Sequence, residues 1–514
     1  MSILDIKNLT HKFDSKPLFA DASLSINNGE HAGIVGSNGS GKSTFLNIII
    51  GSIPQDEGEV KWRGNVRRGY LDQHANIDRT KSVMEYLRQS FDHLYAENDR
   101  MEKLYEDMAT ITDMDEIDKM MNRAGNILDM LTMNGFFDID ARIKKVATGL
   151  GVHNFGYDTL VATLSGGQRA KLLLCKLLLE QPDVMMLDEP TNFLDIEHIE
   201  WLVEFLNSFE GTYLIVSHDT DFLDRVCRQI ISMESFTIKK YSGNYTSYRA
   251  QSDQNAKQYE EAYIRQQREI SKKEEFIARN KARAATAGMA RSRQKQLDKM
   301  EVVKKPSVVY DAEFSFPYSE LNSKNLIVVN DLEIGYTFRL LPPINMHLNS
   351  HSKIWIRGTN GIGKSTFLKT ILSQLNALGG EFKWDLSAKV ATLNQDLDFD
   401  NQAENAVTYF NNRFPKFNAK AVRSALAGVG IKNELATKPI VDLSGGEQVR
   451  IVLATLMQKV SNVLVLDEPT NHLDVKAKNA LQKALIAYPG AVILVSHEKE
   501  FAETICTEIS DVKY

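Results

Sequence analysis

The chain has little cysteine, little proline and no long apolar run, and each shortage removes a class of protein. Only three cysteines occur in 514 residues. Cys175, Cys227 and Cys506 stand far apart with no CxxC pairing, so neither a disulfide framework nor a cysteine-rich zinc or iron–sulfur site is supported. They read as small buried hydrophobes. With 12 prolines and no dominant low-complexity tract, the collagen, mucin and disordered classes fall away, and 43% apolar with 25% charged residues is the composition of a soluble globular protein. No apolar stretch approaches the roughly 18 residues of a membrane helix, and the opening MSILDIKNLT carries Asp5 and Lys7 where a signal peptide is apolar. A cytoplasmic location is expected. The length predicts about three domains at ~150 residues each. The net charge of -6 argues, taken whole, against a nucleic-acid binder. A sum, however, hides segregation.

The chain repeats itself. GSNGSGKST at 36–44 returns as GTNGIGKST at 358–366, and Gln73 and Gln395 keep the same offset of 322. LSGGQ at Leu164 pairs with LSGGE at Leu443, LDEPTN around Asp188 with LDEPTN around Asp467, and VSHD at His218 with VSHE at His497, all at an offset of 279. The first copy therefore carries 43 extra residues between its glutamine and its LSGG. That insertion reads as a helical hairpin, with Leu87, Phe91, Leu94 and Leu104 on the way out and Ile117, Met121, Ile127 and Leu131 on the way back. Between the copies, Ala256, Tyr259, Tyr263, Ile270 and Ile277 form a narrow helical stripe on a polar rod, which resumes through Leu297, Met300 and Val303 until Pro306. Two antiparallel helices are expected, with Gly288 as the reversal point and an outgoing limb of about 28 residues, ~40 Å long.

Each repeated motif carries chemistry. The segment 36–43 fits G-x-x-x-x-G-K-[ST] after an apolar stretch at 32–35 that suits a buried strand. Its glycines let backbone amides approach phosphates, the following helix aims its positive end at them, Lys42 reaches the terminal phosphates and Ser43 suits magnesium. The first loop is Gly36, Ser37, Asn38, Gly39, Ser40, Gly41, Lys42, Ser43 and Thr44; the second is Gly358, Thr359, Asn360, Gly361, Ile362, Gly363, Lys364, Ser365 and Thr366. Two such loops in register exclude coincidence. The apolar runs at 184–187 and 463–466 each end in an acidic pair, Asp188 with Glu189 and Asp467 with Glu468. Beside a P-loop, the aspartate suits magnesium and the glutamate suits orientation or deprotonation of an attacking water. His218 and His497 end strand-like runs, where an imidazole polarises the terminal phosphate or the water.

P-loop, glutamine, LSGG, DEPTN and histidine, in that order and twice, resemble the ATP-binding cassette superfamily. The resemblance implies an α/β fold with two P-loop ATP-binding cassette domains. It also implies that each LSGG caps the ATP held by the opposite cassette, the same helix-terminus physics as the P-loop. One composite site then joins the first P-loop, Gln73, Asp188, Glu189 and His218 to Ser444, Gly445 and Gly446. The other joins the second P-loop, Gln395, Asp467, Glu468 and His497 to Ser165, Gly166 and Gly167. Magnesium falls to Ser43, Gln73 and Asp188, and to Ser365, Gln395 and Asp467. Phe13 and Tyr336, about 23 residues before their P-loops, occupy the place where the superfamily stacks an aromatic on adenine, although either ring also suits a core. Neither half has lost a motif, so both sites are expected to hydrolyse ATP. The copies do depart from each other. Phe193 stands where the second copy has His472, and the second strand holds Trp355 and Arg357 in place of an aliphatic run, with a neighbouring carboxylate as the expected partner of Arg357.

Two cassettes on one chain, a helical arm in the first and a helical-hairpin linker between them are similar to the ATP-binding cassette F family. The expected domains are 1–249, with the arm at about 88–133, the linker 250–306 and the second cassette 307–514. The resemblance implies a ribosome-associated, magnesium-dependent ATPase acting as a translation factor. Its members bind near the exit site and peptidyl-tRNA through the linker tip and leave after hydrolysis. An antibiotic-resistance protein of the same family and an ATPase subunit energising a membrane transporter are the alternatives. Charge points the same way without the family. Residues 279–305 hold nine basic side chains against Asp298 and Glu301, and Arg279, Lys281, Arg283, Arg291, Arg293 and Lys295 form a wholly basic cluster among small residues. Such a loop suits RNA phosphates. The arm is the reverse, eleven acidic against five basic residues at 88–133, which suits a basic ribosomal protein or simply a solvated surface.

Overall fold

In the first repeat the apolar runs become adjacent parallel strands of one sheet. The computed structural model describes residues 1–13, 16–71, 77–234, 236–280, 287–300, 312–320, 324–359, 361–394, 397, 399, 401–432, 434–471 and 473–512. The strand order is Arg68–Leu71, Val184–Asp188, Thr212–Val216, His31–Val35, Gln229–Glu234 and Thr237–Ser242, with only the last antiparallel. Alternate residues of one strand feed different cores, as strand geometry requires. Met185 and Leu187 pack with Leu172, Leu178 and Phe222, whereas Val184 and Met186 pack with Phe45, Leu46 and the antiparallel sheet. That smaller sheet sets Ser2–Phe13 between Lys16–Asn27 and Glu57–Trp62. Burial on both faces is why these strands read as unbroken apolar runs.

The second repeat builds the same layers. Val390–Leu393, Val463–Asp467, Ala491–Val495, Lys353–Arg357 and Glu508–Asp511 form an all-parallel sheet, and Asn325–Glu333 lies between Ile344–Asn349 and Gly379–Trp384 in a second, antiparallel one. Arg357 finds its carboxylate directly across the strand pair, its Nε donating to Asp511 Oδ1 at 2.6 Å. Trp355, at the place of Gly33 in the first copy, is fully buried, and its Nε1 donates to the Ser496 carbonyl at 3.0 Å.

The arm is a hairpin of two helices, Asp92–Met108 and Met114–Met133, the second capped by the Asp113 side chain. Its seam differs in part from the expected one. Leu94 and Leu131 are buried as expected, but Met121 is 58% exposed, and Met101 and Ala124 are buried as well. A hairpin has only one narrow buried stripe, so a single step in helical phase moves a side chain into water.

The interdomain rod begins earlier than the apolar stripe indicates. Helix Tyr245–Asn280 has 36 residues, about 54 Å at 1.5 Å per residue. Tyr245 and Tyr248 anchor its start in the first cassette, where the Tyr248 hydroxyl lies 3.1 Å from Ser232 Oγ. The returning helix is Ala287–Asp298. Gly288 lies inside it, in the first turn, so it is not the reversal point. Arg293 stacks its guanidinium 3.7 Å over Phe276 of the outgoing helix, a cation–π contact joining the two limbs. Lys281, Arg283 and residues 301–311 lie outside the described residues. Among the described residues no helix is long and apolar enough to cross a membrane.

Candidate functional site

Parallel register brings the motifs together at the carboxyl ends of the strands, the edge where open α/β sheets bind ligands. Val216 pairs with Asp188 on one side and with Ile34 on the other, so the P-loop, the acidic pair and His218 leave three neighbouring strands side by side. In the second sheet Asp467 and Ile356 flank Val495 in the same way.

Each P-loop wraps its own lysine. Lys42 Nζ donates to the carbonyls of Gly36 at 3.0 Å and Ser37 at 3.2 Å, and Lys364 Nζ donates to Gly358 at 2.7 Å and Thr359 at 3.1 Å. Burial pulls both ammonium groups below their ordinary range, opposed by Glu189 and Asp188 at the first and chiefly by Glu468 at the second. Gly36 has no room for a side chain, since a Cβ there would lie 2.5 Å from the Met233 carbonyl oxygen. Ile362 is buried, so its side chain packs and only its backbone is available to a ligand.

Both acidic pairs end in a glutamate held in the left-handed region, φ 48° at Glu189 and 50° at Glu468. Non-glycine residues there carry roughly 1–2 kcal/mol of strain, and such strain collects at functional sites. The backbone N–H of Glu189 donates to Val216 and that of Glu468 to Val495, which keeps the kink in place. The amide of His218 donates to Glu189 Oε2 at 3.2 Å, and that of His497 to Glu468 Oε2 at 3.3 Å. The other carboxylate oxygen of each is buried without a hydrogen-bond partner, with His218 Nε2 at 3.6 Å and His497 Nε2 at 3.0 Å. Burial and the adjacent Asp188 push the Glu189 carboxyl up to about 7, against the pull of Lys478 and Lys42. Burial likewise raises Asp467 to about 6, although Ser365 donates to it.

The residues fit a magnesium ion. Asp467 Oδ1 is buried and unpartnered in a carboxylate that already meets the Ser365 hydroxyl, and Ser43 and Asp188 line one cavity in the first copy. A hydroxyl and a carboxylate beside a phosphate loop form the hard oxygen set that this ion takes together with substrate oxygens. Gln73 and Gln395, expected to complete the set, lie outside the described residues, as does Asn360.

Two cavities join the halves. In one, about 340 Å³, Asn38, Gly39 and Lys42 to Thr44 face Ser444, Gly445 and Gly446, with Glu189 and His218 at the side. In the other, about 400 Å³, Gly361 and Gly363 to Thr366 face Ser165 and Gly167, with Asp467, Glu468 and His497. Gly166 does not line it. Both serines cap their helices in reciprocal capping boxes, Ser165 with Gln168 and Ser444 with Glu447, so the first-turn amides are presented in fixed directions. Phe193 stands in the wall of the second cavity against Gly167. Tyr336 is 66% exposed and lines neither cavity; nothing is described of the Phe13 side chain.

Sequence reasoning missed a layer behind these groups. Lys171 pairs with Asp195 at 3.5 Å and Arg450 with Asp474 at 2.6 Å, at matching places in the two copies. Lys478 also lines the first cavity. The signal was present: aligning the repeats at the offset of 279 sets Lys478 against Ile199. Asp219 and Glu498, which follow the two histidines, face the same region. Burial and Glu498 raise Asp219 to about 6, with its helix-capping bond from Phe222 opposing. A carboxyl raised above its unfolded value favours folding most when protonated, so this contribution falls as pH rises from about 4 to 6. Asp219→Asn keeps the cap and is expected to stabilise the chain by about 1–2 kcal/mol above pH 6.5. The gain should vanish below pH 4 in paired thermal melts.

A family model described as "ABC transporter" matches residues 19–192 and 341–471, and a second of the same description matches 231–316. The uncharacterized ABC transporter ATP-binding protein YfmM of Bacillus subtilis is 40% identical over 508 residues, covering 99% of this chain and 98% of that protein. ABC transporter F family member 2 of Arabidopsis thaliana is 31% identical over 99% of this chain and 76% of its own. Among solved structures, the archaeal ribosome recycling factor aABCE1, in complex with a ribosomal stalk protein, superposes with a TM-score of 0.59 at 18% identity, covering 98% of this chain and 87% of that one. At that identity the match speaks for the fold. With motifs, sheets and relatives in agreement along nearly its whole length, the chain belongs to the ABC transporter family, as a twin-cassette ATP-binding protein of the F type.

Proposed function

We propose that the chain is a magnesium-dependent ATPase with two composite sites, acting on the ribosome as a translation factor. The observation that carries the ATPase reading is the pair of cavities, each lined by the phosphate loop of one cassette and the LSGG helix start of the other. ATP bound in both would hold the cassettes together, because its γ-phosphate would accept from the signature helix start of one half while the phosphate loop of the other half holds it. Ser43 with Asp188, and Ser365 with Asp467, would hold magnesium, which neutralises phosphate charge. Glu189 and Glu468 then orient the attacking water and accept its proton, and His218 and His497 stabilise the charge that develops on the terminal phosphate. Hydrolysis removes the group that bridges the halves, and the cassettes separate.

The ribosomal part of the reading is supported by the likeness in fold to an archaeal ribosome recycling factor and by the basic rod end. Arg279, Arg291, Arg293 and Lys295 are exposed there. Closure of the cassettes sets the pose of a rod anchored at Tyr245 and Tyr248, and its tip is read as the contact with peptidyl-tRNA. The expected result is that the Glu189→Gln, Glu468→Gln variant pellets with ribosomes in ATP and not in ADP. Adding Arg291→Gln and Lys295→Gln should flatten the log-affinity against log-salt slope by about 1.4, two contacts at roughly 0.7 each. Pelleting with membranes in place of ribosomes would sink this part of the reading.

A further inference from the structure

The two sites differ at a crossing point between the cassettes. Lys478, on helix Val475–Ala487 of the second cassette, is buried and reaches over to the first. Its Nζ donates to the main-chain carbonyl of His218 at 3.2 Å and to Glu498 Oε1 at 2.5 Å. That carbonyl flanks the same Cα as the His218 N–H that donates to Glu189 Oε2. A cation from one cassette therefore fixes the residue that fixes the glutamate of the other.

Pseudo-symmetry provides the control. At the matching place on helix Ile196–Ser208 stands Ile199, which lines the same small cavity of about 160 Å³ between the two histidine segments. Isoleucine has no donor, so it cannot hold the His497 carbonyl. A buried ammonium is retained only where acceptors compensate its lost hydration, and here Glu498 and the His218 carbonyl do so.

We propose that Lys478 is a positioning residue of the first site: it fixes the His218 main chain through its carbonyl, and through the His218 N–H it positions Glu189, only when the cassettes are apposed, whereas Ile199 leaves the second site without that tie. The two sites are thus unequal, and turnover at the first depends on the full inter-cassette contact. This rests on reading both cavities as hydrolytic sites.

The test isolates each site in the full chain. Glu468→Gln leaves the first site and Glu189→Gln leaves the second. Lys478→Ile, which copies the other half, is expected to lower kcat about tenfold or more in the Glu468→Gln background, with KM for ATP changed less than twofold. In the Glu189→Gln background the change should stay under twofold. Lys478→Arg should recover most of the loss. Because Lys478→Ile leaves Glu498 without its cation, the double variant Lys478→Met, Glu498→Gln is made as well, and it should give the same site-selective loss. Equal losses in both backgrounds, or none in either, overturn the proposal. Should Glu189→Gln and Glu468→Gln each leave turnover unchanged on their own, the site reading itself fails and this inference falls with it.

Discussion

Replacing Glu189 and Glu468 together by glutamine is expected to lower ATP turnover by about 10²- to 10⁴-fold while ATP remains bound. Glutamine keeps the volume, and its amide oxygen can still accept the N–H of His218 or His497. It cannot take a proton from water. Each glutamate also holds a strained φ against a neighbouring strand, and one of its oxygens is buried without a hydrogen-bond partner, an arrangement that serves folding poorly and proton transfer well. Phosphate release measures the fall and nucleotide retention measures the binding. Turnover within threefold of the unaltered chain would remove both glutamates from the reaction.

The largest expected effect on stability lies at Trp355. Trp355→Ala empties the biggest fully buried side chain among the described residues and strips the Ser496 carbonyl of its donor. The transition of the second cassette should lose about 3–5 kcal/mol. Because Ser496 precedes His497, the loosened carbonyl should also slow turnover at the second site, read in the Glu189→Gln background. Trp355→Phe, which fills most of the space without the indole N–H, is expected to cost about 1–2 kcal/mol by losing that bond. Denaturant unfolding with site-isolated turnover separates packing from hydrogen bonding. If alanine and phenylalanine behave alike, packing contributes little.

The same position shows where reading one copy against the other succeeds and where it stops. Trp355 and Arg357 stand out in the sequence as departures from an aliphatic strand. Their partners, a carbonyl 141 residues away and Asp511 across the edge strand, come only from the register of the parallel sheet. The arm illustrates the opposite limit. Helical periodicity finds both limbs with Leu94 and Leu131, yet it chooses the exposed Met121 and passes over the buried Ala124 and Met101, because apolar residues on a thin hairpin outnumber the places that can bury them.

The scarcity of cysteine and of long apolar runs excluded whole classes, and the doubled motifs assigned the twin α/β cassettes, the phosphate loops, the acidic pairs and the histidines. Those features are local: a phosphate loop needs its glycines and lysine within a few residues, so spacing alone reveals it. Tertiary structure decided what spacing cannot carry. It set each LSGG helix opposite the other half's P-loop, turned Met121 and Tyr336 to the surface, and placed Gly288 inside a helix. It also brought Lys478 to the His218 carbonyl, 260 residues away. Two repeats with the same motifs differ there because a contact between cassettes depends on both surfaces, and at this position one carries Lys478 and the other Ile199.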